Sequence, residues 1–177
     1  MGYTTDFFGE FDVIPPLTPD QVAYLRAFNN SRRMMRDAEK TENRPDPLRI
    51  AVGLKTVGPE GSYFVNESGW AGQDPGPDVL NRHVSPKGQP SLWCQWVPTD
   101  NGEALEWDQG EKFYNYVDWL KYLVSHFLRP WGRALSGSIT WQGEDLSDMG
   151  RIVCTQTGRG ETSIVVQRAV INYEDAE

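Results

Sequence analysis

The side chains with chemical potential in this chain are rings, amides and guanidinium groups rather than a hydrolytic or metal-binding set. Trp93, Gln95, Trp96, Trp107, Trp141 and Gln142 fall on strand-like segments, and Lys112 and Tyr114 follow just beyond Trp107. Indole faces stack on bases and sugars, while an amide side chain donates and accepts at once and so reads polar edges. Arg32, Arg33 and Arg36 stand close together earlier in the chain. Guanidinium forks match phosphate and carboxylate oxygens. These residues, with Lys112 as a further cation, form the candidate binding set for a small anionic or nucleotide-like ligand.

Each feature has a plainer reading. Aromatic strand residues usually pack in a core, and cations near a helix C-terminus complement the macrodipole. Trp93 and Trp96 are an odd number of residues apart, so on a straight strand they face opposite sides. One is then expected under the helices and the other on the open face or under a loop.

Catalytic motifs are absent. The sequence has no GxSxG, no phosphate loop and no HExxH. His83 is a conceivable general base, but no nucleophile is identifiable beside it, and His126 reads as a surface or half-buried helix residue. A Cys94–His83 dyad is conceivable, yet both Cys94 and Cys154 lie in apolar runs and read as buried, unreactive thiols. The two cysteines and two histidines are not paired at metal spacing. Acidic groups such as Glu10/Asp12, Glu144/Asp145/Asp148 and Glu174/Asp175 read as solvated edges. No metal or cofactor is implied.

The elements that must position these side chains follow from pattern. Residues 3–13 alternate, with Phe7, Phe11 and Val13 on one face and Asp6, Phe8, Glu10 and Asp12 on the other, which predicts a strand. Thr18, Pro19 and Gln21 predict a capped helix running to about Met35, with the arginines at its end. Residues 37–91 are rich in Gly and Pro and predict an ordered, loop-rich insertion, with short strands at Arg49–Leu54 and Ser62–Val65. Trp70 argues for order there. Leu92–Val97 and Ala104–Trp107 predict a hairpin around Asn101-Gly102. Asp108 and Glu111 then suggest a capping box opening a second helix, whose stripe includes Phe113, Val117, Leu120, Val124 and Phe127. Segments 137–143, 150–156 and 162–171 predict a meander, followed by a frayed tail.

The expectation is one α+β domain over residues 1–177. It has a mostly antiparallel sheet, two main helices on one face and a split βαβ-like order. With 177 residues, 38% of them hydrophobic, the chain is long enough to close a core. A net charge of −8 argues against general binding to duplex nucleic acid and against adsorption to an anionic membrane. The N-terminus lacks signal-peptide and myristoylation patterns, and no run approaches a membrane span, so a cytoplasmic location is expected.

The runs GYTTDFFGEF, SRRMMRD, GQPSLWCQWVPTDNGEALEWDQGEKFY, FLRPWG and WQGE together resemble an uncharacterised family of small bacterial and phage proteins. The resemblance implies a bacterial or phage source and a stand-alone protein of the bacterial cytoplasm. It carries over no activity and no catalytic residues. In that setting a binding protein that sequesters a nucleotide-like signal, as an anti-defence device, is the first functional expectation. A protein–protein inhibitor or adaptor acting on a host protein is the second, and an enzyme on a nucleotide or sugar the third. Homo-oligomer formation is left open.

Overall fold

The structure is a computed structural model, and residues 2–65 and 76–169 are described. In chain order the elements are β1 (Thr5–Ile14), α1 (Pro19–Asn29), β2 (Met35–Arg36), α2 (Ala38–Glu42), α3 (Pro47–Ala51), β3 (Val79–Asn81), β4 (Trp96–Pro98), β5 (Ala104–Trp107), α4 (Tyr116–Leu123), β6 (Ala134–Gly143), β7 (Met149–Gln156) and β8 (Thr162–Arg168). The fold is α+β, as the pattern predicts. Six strands form one sheet in the order β4-β5-β1-β6-β7-β8, with every pairing antiparallel.

The sheet contains the split βαβ order twice. α1 links β1 to β4 across the intervening β5, and α4 links β5 to β6 across the intervening β1. β1 is therefore central, and its period-two pattern is realised: Phe7, Phe11 and Val13 are buried while Asp6, Phe8, Glu10 and Asp12 are exposed. The buried face meets both helices in one core cluster, where Tyr24, Leu25 and Phe28 of α1 and Trp119, Leu120 and Leu123 of α4 join Trp96, Leu105, Ile139, Trp141 and Ile152. Rings dominate this core. Phe7 alone stands edge-on to Trp96, Trp107, Phe113 and Tyr116 at centroid distances of 4.8–5.8 Å, a geometry that the ring quadrupole favours.

Local chemistry explains where the elements start and where the sequence reading overran them. Thr18 caps α1 with a complete capping box, as predicted. The helix stops at Asn29, however, six residues short of Met35, because Asn29 and Asn30 turn their groups elsewhere. Asn29 Nδ2 donates to Cys94 O and to Asp108 Oδ2 at 2.9 and 2.8 Å, and Asn30 forms the C-cap. Arg32 and Arg33 lie beyond the helix and Arg36 lies on β2, so the macrodipole reading of the arginines falls away.

The second helix begins late. Asp108 caps no helix; its Oδ1 accepts from Gly110 N at 2.8 Å in a local turn. α4 opens only after Asn115, and Phe113 is buried from a loop. The helix runs on through Val124–Leu128 as a wider π turn, closed by Arg129 N–H on Val124 O. Arg49–Leu54 is not a strand: its first residues belong to α3, and Arg49 Nε pairs with Asp46 Oδ2 at 3.0 Å. Ser62–Val65 forms no strand, and Leu92–Val97 is regular only from Trp96. The meander is present as β6, β7 and β8. Trp70, residues 170–171 and the tail lie outside the described residues.

Residues 37–65 and 76–91 wrap the helix side of the core on buried polar anchors. Arg33 Nη2 donates to Ser62 O at 2.9 Å and its guanidinium lies 4.1 Å above the Phe28 ring. Gln89 Nε2 donates to the same Ser62 carbonyl and to Tyr122 Oη. Arg36 pairs with Asp78 at 2.7 Å, both almost wholly buried, and Arg44 reaches the same carboxylate. No helix of the described residues is long and apolar enough to cross a membrane.

Candidate functional site

Four of the predicted binding residues come together. Trp93, Gln95, Lys112 and Tyr114 line a cavity of about 610 Å³, within the range of small-molecule sites. Val84, Pro90 and Leu92 complete an apolar wall, and His83 and Glu111 add polar groups at the margin. The site lies where the end of the insertion, the segment before β4 and the loop between β5 and α4 converge.

The backbone irregularity before β4 separates the two tryptophans. Cys94, Gln95 and Trp96 are buried in succession, which a straight half-buried strand does not allow. Trp96, 1% exposed, enters the core and donates Nε1–H to Tyr116 O at 2.8 Å. Trp93 is half-buried at the cavity wall. Trp107, Trp119 and Trp141 place their N–H groups on Gln95 Oε1, Ser91 Oγ and Asp148 Oδ1. The Trp93 N–H has no acceptor among the described residues.

Gln95 works as a buttress. Its amide accepts from Trp107 Nε1 at 3.1 Å and donates to Glu111 O at 2.8 Å. One donor and one acceptor direction remain on that amide. By holding the Glu111 carbonyl it fixes the 108–115 loop, in which Gln109, Lys112 and Asn115 all adopt positive φ (65°, 60° and 57°). Such values are unfavourable for Gln and Lys. The left-handed turn at Lys112 sits between Glu111 and Tyr114, which line the cavity with it. Lys112 forms no ion pair among the described residues, and neither does Glu111. The apolar wall therefore carries one ammonium, one carboxylate and one imidazole with open hydrogen-bonding capacity.

The other predicted residues lie elsewhere. Arg33 and Arg36 are buried with the internal partners described above, and Arg32 Nε donates to Arg82 O at 2.9 Å. Trp96 and Trp141 are core residues, Trp107 packs on Phe7, and Gln142 Nε2 donates to the Gly143 and Asp145 carbonyls. Cys94 is buried and burial pushes its thiol up to about 12; the same cause raises Cys154 to about 12. Neither thiol is in a disulfide. Among the described residues no group of three or more His, Cys, Asp or Glu side chains is placed to hold a metal. Ser85 and Ser91, the two serines that line the cavity, already donate to the Gln89 and Trp93 carbonyls.

The capping-box pattern assigns Glu111 to a helix start and so misses its place at the site. Gly110 is the signal against that assignment, since glycine in a helix's first turn reads more naturally as a break. Val84, Pro90 and Leu92 carry no signal of their own.

Fold and site thus define a split-βαβ antiparallel α+β protein with an aromatic-walled cavity beside its sheet, lined by one ammonium and one carboxylate. No family model matches the chain, and no match to it is found among curated proteins or among solved structures.

Proposed function

We propose that the protein binds a small, anionic, nucleotide-like molecule in the cavity at Trp93 and acts by sequestering it. The observation that carries this reading is the pairing of an aromatic wall, Trp93 with Tyr114, and an ammonium group that forms no ion pair among the described residues, Lys112, around one cavity of ligand size. Ring faces hold a base or sugar, and the lysine supplies a point charge for a phosphate or carboxylate. Gln95 and Glu111 supply hydrogen-bonding groups for polar edges. Two reduced, buried cysteines fit action in a bacterial cytoplasm.

Calorimetric titration with cyclic dinucleotides and ADP-ribose derivatives tests the proposal. Saturable heat with unchanged ligand recovered afterwards supports sequestration. No heat from any of these at high micromolar protein sinks the small-ligand reading. Conversion of the ligand, abolished by His83→Ala, replaces it with an enzymatic one.

A protein partner is the second reading, and Phe8 motivates it. This ring is 60% exposed on the open sheet face, where the neighbouring β1 positions are acidic. A host protein that co-purifies stoichiometrically and is lost with Phe8→Ser supports this reading; retention of that partner counts against it.

A further inference from the structure

The two edges of the sheet differ. One edge, β4, has three residues and ends in Pro98, which has no N–H to offer. The other edge, β8, runs through Thr162–Arg168 as TSIVVQR, with Val165 48% and Val166 38% exposed. It carries no proline and no acidic residue. Sheet edges are normally shortened, charged or covered because their free backbone groups template further strands. Among the described residues nothing pairs with the outer side of β8.

The hydrogen-bond phase of that edge is fixed. Ala169 N–H donates to Met149 O at 2.9 Å, and Thr157 N–H donates to Glu161 O at 2.8 Å. Antiparallel bonds alternate along a strand, so Ser163, Val165 and Gln167 face β7. The N–H and C=O groups of Thr162, Ile164, Val166 and Arg168 therefore point away from the sheet.

We propose that β8 pairs antiparallel with β8 of a second copy, about a two-fold axis through Val165, to make one continuous sheet. That register sets Ile164 opposite Val166 and Thr162 opposite Arg168, the residues whose backbone groups are free, so each such pair exchanges both bonds. It also sets Val165 against Val165 and Ser163 against Gln167 on the open face. Ile164 and Val166 of both copies meet on the helix side, where Ile164 already packs against the core. The chain is acidic overall, yet β8 contributes only the cation Arg168, and no like charges meet across the axis. A one-residue slip breaks this match, because it sets outward groups against residues already bonded to β7. A self-complementary edge favours a second copy over an unrelated strand, and the inference is independent of the cavity ligand.

Sedimentation equilibrium tests it, with Val165→Lys and Val165→Glu as probes. Val165 is exposed on the open face, so both variants keep the monomer fold, which circular dichroism checks. The expected native mass is twice the 20.1 kDa of one chain. Each variant alone falls to the single-chain mass, and an equimolar mixture of the two recovers the double mass as opposite charges meet at the axis. A native monomer at high micromolar concentration overturns the proposal. So does a dimer that both variants leave intact, or a mixture that stays monomeric.

Discussion

Trp93 and Trp96 share one residue type three positions apart, and the structure gives them opposite fates. Trp96 satisfies its N–H on Tyr116 O inside the core, while Trp93 lines the cavity and its N–H has no acceptor among the described residues. Replacing Trp93 by Ala should therefore weaken ligand binding with little effect on folding. Loss of a stacked base costs about 1–3 kcal/mol. Lys112→Met should cost a comparable amount, since hydrogen bonds to a charged group contribute roughly 1.5–3 kcal/mol. Trp96→Ala removes a core ring instead and should lower stability by about 3–5 kcal/mol. Calorimetry and urea melts on the three variants check the contrast. Wild-type affinity in Trp93→Ala places the ligand elsewhere.

At the scale of elements, the loop between β5 and α4 stores strain and positions Glu111, Lys112 and Tyr114. Left-handed backbone costs an L-residue about 1–2 kcal/mol. Gln109 has φ 65° and does not line the cavity at Trp93. Gln109→Gly should relieve that strain, partly offset by greater freedom in the unfolded chain, for a net gain of up to about 1 kcal/mol. Ligand affinity should not change. A lower urea midpoint for Gln109→Gly would show that the turn is not strained. Elements governed by alternation, or by a single unopposed cap, are legible in the sequence: β1, the start of α1, the hairpin and the meander. The C-terminal end of α1 and the start of α4 are not. There, Asn29 and Asp108 use their side chains on each other across the fold, and a partner distant in sequence outweighs the local cap and helix signals. The candidate site is half legible for the same reason. Trp93, Gln95, Lys112 and Tyr114 carry a chemical signature near one another in the chain. Arg33 and Arg36 carry one as strong, yet their partners Ser62, Gln89 and Asp78 come from a segment whose path no periodicity predicts.

Over the whole molecule, that same segment is folded on itself, against Arg36, by buried charge, and this makes stability depend on pH. Asp78 is buried and joins Arg36, Arg44 and Thr41. Burial alone pushes its carboxyl up, but the hydrogen bond and charge of Arg36, with Thr41 and Arg44, hold it below the usual aspartate range. A carboxyl depressed by folding contributes stability that is complete above its unfolded value, about 3.9, and is lost as pH falls through the lower folded value. Asp46 acts in the opposite sense. Burial raises its carboxyl against the pull of Val65 N–H and Arg49, so its contribution is complete below the unfolded value and is lost as pH rises through the folded one. Near neutral pH the Asp78 pair therefore stabilises the packing of this segment while Asp46 opposes it. Asp78→Asn takes the carboxylate from a buried ion pair and should cost about 3–5 kcal/mol at neutral pH. It should also flatten the acid limb of the stability profile, so that variant and wild type converge as pH falls below the folded value. Urea midpoints measured from pH 7 downward check both parts. A constant difference between the two proteins across that range would show that Asp78 acts through packing rather than charge.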